Sequence, residues 1–239
     1  DILNSIKAFD EPYADPSTVP SYILSKEISQ YYKVAISGDG GDELFGGYAR
    51  TLEMLKNRNF IKNFYSKFFY VYPGILGTGS NLQKHSSDIV KGYSVYFQDK
   101  KLLNLLNIKN ENEIQEKFSS AIMSNYKKMQ LIEYKLYLSE MMMLKVDRTS
   151  MANSLEVRSP FVDHRLIEYM LSHEEKHIDR TNPKKILKQL INNDFSDKFL
   201  NRKKMGFVFN VEKWIYDNLH LVEDRVNNGK IINSYNSNI

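Results

Sequence analysis

The chain contains no cysteine. A disulfide scaffold, a thiolate zinc site and a cysteine nucleophile are therefore excluded within its 239 residues. A reducing cytoplasm is compatible with that composition, and cytoplasmic placement is the expectation. Long apolar runs are missing too. None approaches the ~18–20 residues that a membrane-spanning helix needs, so no membrane partner is expected. The opening DILNSIKAFDEPYADP has neither an initiator Met nor the charged-then-apolar pattern of a signal peptide. It reads as the middle of a longer chain. A strong excess of one sign of charge is missing as well, with 33 basic and 29 acidic residues. A formal net charge of +4 gives no reason to expect nucleic acid without a clustered basic face. With 42% hydrophobic and 26% charged residues, the balance is that of an ordinary globular chain. Its length suits one large domain or two small ones.

The chain begins with a short amphipathic piece, DILNSIKAF, broken by DEPYADPSTVP with its three prolines. Helical spacing resumes at Val19, Tyr22, Ile23 and Ile28. KVAIS (Lys33–Ser37) is short and β-branched, the best strand in the sequence. Beyond its glycine-rich exit, most of the chain has helical character. Leu131–Val146, LIEYKLYLSEMMMLKV, is apolar nearly all round and predicts a central buried helix, its three methionines filling core. Asn59–Ser80 is aromatic with interspersed lysines; it reads as a helix leading into a loop rather than a base-stacking surface. One strand followed by many helices suggests the tail of an α/β domain continuing as a helical subdomain. The terminal NNGKIINSYNSNI is polar and expected to fray.

Behind the strand lies Ser37–Tyr48, SGDGGDELFGGY, with five glycines and three acids. Gly38, Gly40 and Gly41 let backbone N–H groups approach a ligand at the carboxyl end of a strand. Asp39, Asp42 and Glu43 have the wrong sign for bare phosphate. Two like unit charges ~4 Å apart cost about 4 kcal/mol at an effective dielectric of ~20. A divalent cation between carboxylate and polyphosphate reverses that sign, and Mg²⁺ prefers oxygen ligands shared with phosphate and water. The loop suits a magnesium nucleotide, or an amine-bearing substrate held by one acid. A glycine-rich turn whose acids cap the next helix is the plain structural alternative.

Two other motifs need weighing. HEEKH (His173–His177) matches the zinc-protease pattern, with Glu174 in the general-base position. Glu175 and Lys176 are both charged and Pro183 is close behind, so a solvated helix end is the simpler reading. GTGS (Gly77–Ser80) has no Lys-Ser/Thr after it and reads as loop.

The loop SGDGGDELFGGY resembles the signature of the asparagine synthetase family, in its ATP-pyrophosphatase domain. DEPYADPSTVPSYILSK before it, LKVDRTSMANSLEVRSPFVDHRL (Leu144–Leu166), PKKILKQL and RKKMGFVFNVEKW resemble further family blocks, in order, over roughly residues 10–214. The resemblance implies an α/β fold of the adenine nucleotide alpha hydrolase type, of which this piece is mostly α-helical with a short residual β-strand region. Residues 1–58 then supply the strand and nucleotide loop, and 59–239 a helical subdomain. ATP and Mg²⁺ are the implied cofactors. Ser37, Gly38 and Gly40 match nucleotide-contacting positions, and Asp42 the Mg²⁺-binding acid. Asp39 matches an acid beside the aspartate substrate and the adenylate. Lys204 matches a lysine that stabilises charge on the reacting phosphate and carboxyl, and Lys184 a basic residue near the pyrophosphate. The implied reaction activates aspartate as β-aspartyl-AMP and amidates it with ammonia from glutamine. Fixed cations at developing phosphoryl charge and a carboxylate to take ammonia's proton suit these roles. Arg148, Glu156, Arg158 and Asp163 are read first as buried salt bridges that fix helices, with substrate contact as the alternative.

The family's S-G-G-x-D-S pyrophosphate loop occurs nowhere in the chain, and the glutaminase domain with its cysteine is also missing. The expectation is the C-terminal portion of a longer synthetase, inactive alone, whose partner is the N-terminal glutaminase domain of the same parent chain. A homodimer is left open. Closure of a β-lactam, or amidation of another carboxylate such as a sugar acid, would use the same loop. The HEEKH protease and a non-enzymatic binding module are the remaining alternatives.

Overall fold

The computed structural model describes residues 1–11, 13–56, 84, 88–96, 118–172, 182–203 and 205–228. Helices α1 (Ile2–Lys7), α2 (Thr18–Ser29), α3 (Gly41–Phe45), α4 (Ala49–Lys56) and α5 (Ile89–Tyr93) come first, with strand β1 (Val34–Ile36) between α2 and α3. Then come α6 (Asn125–Ile132), a stretch of wider π-helical winding (Glu133–Met143), and α7 (Leu144–Met151). Strand β2 (Glu156–Arg158) precedes α8 (His164–Ser172), α9 (Lys185–Ile191), α10 (Asp197–Leu200), α11 (Val211–Asp217) and α12 (Leu219–Asn227). The described residues are thus mostly helical with a small parallel sheet. Among them no helix is long and apolar enough to cross a membrane.

The chain divides into two compact units. The first comprises 1–33, 148–155 and 203–239. Here α2 begins behind an Asx turn in which Asp15 accepts hydrogen bonds from the Ser17 N–H (2.8 Å) and hydroxyl (2.7 Å). Pro20 sits in the first turn of α2, where its missing N–H costs little. Lys26 pairs with Asp1 at 2.7 Å and Arg148 with Asp10 at 2.6 Å. Asn210 caps α11 by accepting from the Lys213 N–H.

The second unit comprises 34–147 and 156–202 and holds the sheet. β1 and β2 run parallel, Val34 opposite Glu156, Ala35 opposite Val157 and Ile36 opposite Arg158. The observed β1 is the core of the expected Lys33–Ser37 strand, whereas β2 goes beyond the sequence expectation. Ile36 is 78% exposed, so the strand is not enclosed on both faces as parallel strands usually are. Beside the sheet, Leu44 of α3 packs with Tyr134 and Leu138, and Met142, Met143 and Phe161 lie against them. Met54, Ile89, Val90, Tyr93, Met129 and Ile132 make a second cluster.

The expected central buried helix exists, but its burial is one-sided. Tyr134 and Leu138 are buried, while Lys135, Ser139 and Glu140 on the same stretch are exposed. Met142 and Met143 do fill core. The aromatic Asn59–Ser80 segment, GTGS, HEEKH and the end of the polar tail from Gly229 lie outside the described residues.

A charged network joins α4, α5 and the π-helical stretch. Arg50 donates from Nε to Glu133 Oε1 at 3.0 Å and from Nη2 to Oε2 at 2.7 Å. The Tyr93 hydroxyl also donates to Glu133, and the Arg50 guanidinium lies 4.0 Å from the Tyr48 ring centroid and 4.4 Å from that of Tyr137. Glu133 is nearly fully enclosed, its side chain 3% exposed. Burial works against the charge on Arg50, but the hydrogen bonds and charge of Glu133 outweigh it and hold the guanidinium protonated. Removing one member would leave the other charge buried without compensation. Glu133→Ala should therefore cost about 3–5 kcal/mol in urea denaturation, and Arg50→Met with Glu133→Leu clearly less. A single-variant cost below about 1 kcal/mol, as for an exposed pair, would show that the network does not carry this load.

Candidate functional site at the strand-end loop

The loop begins where β1 ends. Ser37 continues the ladder by donating its N–H to the Arg158 carbonyl at 2.9 Å. Its hydroxyl lies 2.6 Å from the Ser159 hydroxyl and donates to Asp39 Oδ2 at 2.8 Å. Parallel pairing thus carries Ser159, from a distant block, to the nucleotide-contacting position expected of Ser37. Gly40 adopts φ +87°, the left-handed region that glycine tolerates. A Cβ there would also press against Val162 and Phe161 at 3.1–3.2 Å. Gly38 is different: among the described residues a Cβ would meet nothing within 4 Å, so its backbone faces open space.

Asp42 lies in the first turn of α3, and its Oδ1 is 2.8 Å from Lys184 Nζ. Two candidates from widely separated blocks therefore form one ion pair. Both side chains are partly buried, 35% exposed for Lys184 and 20% for Asp42. Lys184 is held twice, because its N–H also donates to the Phe45 carbonyl at 3.2 Å. Its backbone is left-handed, φ +60° and ψ +28°, a conformation costing roughly 1–2 kcal/mol for a residue with a Cβ.

Glu43, next in sequence, is buried. Tyr48 donates its hydroxyl to Glu43 at 2.6 Å, and Gln130 donates to the Glu43 carbonyl at 3.1 Å. Burial pushes the Glu43 carboxyl above its ordinary range, and burial together with that carboxylate raises the Tyr48 phenol. A small cavity of about 10 Å³ lies among Asp42, Glu43, Tyr48, Gln130 and Glu133, space for about one water.

Among the described residues no group of three or more His, Cys, Asp or Glu is placed to hold a metal ion. Asp42 already carries a cation on one oxygen. These residues do not cage a metal; they fit a Mg²⁺ that arrives with phosphate ligands of its own and needs one or two carboxylates from the protein. Lys204 lies outside the described residues, so its expected place here has no geometry. Arg148 pairs with Asp10, Glu156 with Arg158 at 2.8 Å, and Asp163 with Arg165 at 2.6 Å. They are ion-paired as expected, but not buried: Arg158 and Glu156 are 67% and 54% exposed. Arg165 hydrogen bonds hold the Asp163 carboxyl well below the usual carboxylate range. Sequence reasoning missed Ser159, Tyr48 and Gln130.

The left-handed backbone at Lys184 yields a direct check. Lys184→Ala and Lys184→Gly both delete the ion pair, but only glycine relieves the backbone. Lys184→Gly should be more stable than Lys184→Ala by about 1 kcal/mol in denaturant unfolding. Equal stabilities would mean that Lys184 is not held left-handed.

Residues 1–231 match the sequence model of a family described as asparagine synthase. "Asparagine synthetase [glutamine-hydrolyzing] 1" of Bacillus subtilis (strain 168) is 28% identical over 228 residues, covering 89% of this chain and 36% of the relative. A "Putative asparagine synthetase [glutamine-hydrolyzing]" of Mycobacterium tuberculosis (strain ATCC 25618 / H37Rv) is 28% identical over 223 residues, 86% of this chain and 34% of the relative. The chain therefore spans about a third of the length of these curated relatives. No solved structure matches it. With the strand-end glycine loop and its Asp42–Lys184 pair lying inside the matched region, the chain belongs to the asparagine synthase family.

Proposed function

We propose that this chain supplies part of the ATP and aspartate site of an amide-forming ligase that makes asparagine. The observation that carries the reading is the meeting of Asp42 and Lys184 at 2.8 Å beside the strand-end loop. An anionic and a cationic group side by side suit a metal-bound polyphosphate, which is itself an anion carrying a cation. Residues 1–239 are read as the C-terminal portion of the synthetase domain, 1–58 bringing the strand and glycine loop and 59–239 the helical subdomain. Ammonia comes from glutamine in a glutaminase domain of the same parent chain.

In this reading the aspartate β-carboxylate attacks the α-phosphorus of ATP, pyrophosphate leaves, and ammonia displaces AMP from the β-aspartyl adenylate. Ser37, Gly38 and Gly40 line the nucleotide. Lys184 neutralises phosphate charge, and Lys204 stabilises charge on the reacting groups. Mg²⁺, held by Asp42, would neutralise phosphate charge in the same place. Asp39 takes the proton that ammonia sheds after attack; its Oδ2 already accepts from the Ser37 hydroxyl. The names of the relatives support the substrate and the nitrogen source. The S-G-G-x-D-S loop is absent from the chain, so the chain alone is expected to be inactive.

In the complete enzyme, Asp42→Asn should raise the KM for Mg-ATP about tenfold or more, because a charged metal ligand becomes neutral. Asp39→Ala should instead lower kcat for asparagine at saturating Mg-ATP. Both are read by pyrophosphate release and asparagine formation. Rescue of both variants by excess Mg²⁺ would refute the division of roles.

Lys204→Ala should abolish aspartate-dependent pyrophosphate release while leaving circular dichroism and the thermal midpoint unchanged, since a charge used in the transition state leaves no mark on the ground-state fold. Release at the wild-type rate would remove Lys204 from the chemistry.

A further inference from the structure

Gly47 is a glycine whose backbone does not require one. Its neighbour Gly46 has φ +67°, the left-handed region, but Gly47 does not lie there. Space is what Gly47 leaves. A Cβ at this position would overlap Asp42 Oδ1 and lie 2.7 Å from both Asp42 Cγ and Lys184 Cε. The main chain is tied to the same place, since Gly47 donates its N–H to the Asp42 carbonyl at 2.8 Å. The Asp42–Lys184 pair therefore rests directly on bare backbone at Gly47.

We propose that Gly47 is a positioning residue for the Asp42 carboxylate: by having no side chain it provides the seat in which Asp42 meets Lys184. Any larger residue drives the carboxylate out of the seat and separates the pair. Asp42 itself sits on the short helix α3, which has one turn and little rigidity of its own. Among the described contacts, its side chain lies against Gly47 and Lys184. The significance of the seat for catalysis rests on the function proposed above, but the contact does not.

The test is a double-mutant cycle. Gly47→Ala should lower the thermal midpoint of the chain by about 5 °C, the size of shift expected for one steric conflict in a chain of this length. In an Asp42→Ala background the same change should cost less than about 1 °C, because the displaced carboxylate is gone and the Lys184 tip can swing aside. Gly46→Ala is the control: its cost is backbone strain and should be equal in both backgrounds. If Gly47→Ala alone does not fold but Asp42→Ala with Gly47→Ala does, the coupling is established more strongly still. Equal losses in the two backgrounds, or failure of both to fold, would overturn the inference. In the complete enzyme, Gly47→Ala should raise the KM for Mg-ATP about as much as Asp42→Asn while kcat changes less, and should add nothing to Asp42→Ala. A fall in kcat with KM unchanged would also overturn it. A complete enzyme that released no pyrophosphate would count against the functional reading and leave the stability cycle to decide this one.

Discussion

Three carboxylates within five residues can coexist only if each is answered by a different neighbour. Asp39, Asp42 and Glu43 would otherwise repel one another by about 4 kcal/mol for each pair at ~4 Å. Asp39 turns back onto the Ser37 hydroxyl. Glu43 turns inward to Tyr48, and burial favours its neutral form. Asp42 turns to the ammonium of Lys184. The first two answers are local to the loop. The third comes from a different part of the chain, so the loop's electrostatics depend on tertiary structure.

That dependence is distributed. β1 pairs with β2, and the pairing carries Ser159 to Ser37. Gln130 on α6 holds the carbonyl of Glu43. Arg50, just past the loop, is clamped by Glu133 at the start of the π-helical stretch. Lys184 returns to α3 twice, through its N–H at the Phe45 carbonyl and through its Nζ at Asp42. A loop of glycines has little conformational preference of its own and loses more entropy on ordering than other sequences do. Here its shape is imposed by polar contacts from residues beyond it, at both ends and in the middle.

Local signals are legible in the sequence, and pairings are not. VAI running into Ser37-Gly38 announces β1, because β-branched residues running into a turn leave few alternatives. Glu156–Arg158 does not announce β2: three residues with two charged side chains are too short for alternation to stand out. Leu131–Val146 looks buried all round because Leu, Met and Tyr dominate it, yet Lys135, Ser139 and Glu140 mark a face that stays exposed. Arg148, Glu156, Arg158 and Asp163 are salt-bridged as their pattern suggests, but composition says nothing of depth, and their pairs lie near the surface. Asp42 and Lys184 are each singled out by resemblance. Nothing in the spacing of PKKILKQL says that its first lysine will stand left-handed with its ammonium on the glycine loop. That is a property of packing.

The meeting of these two residues bears on the problem the loop poses, namely how glycines suited to phosphate can share a turn with carboxylates that repel it. A lone Asp42 would favour a bare cation and reject an anion. A lone Lys184 would do the reverse. Held 2.8 Å apart, they present both signs at the separation of a single hydrogen bond. Under the proposed reading, polyphosphate oxygens approach Lys184 while the metal they carry approaches Asp42, and neither group is asked to accept a ligand of its own sign. Gly38, where a side chain would meet none of the described residues, leaves the backbone accessible on the same loop. The two kinds of residue in SGDGGDELFGGY then have complementary tasks: glycines make room for the ligand and the pair, and acids supply the charge that a bare phosphate site would lack.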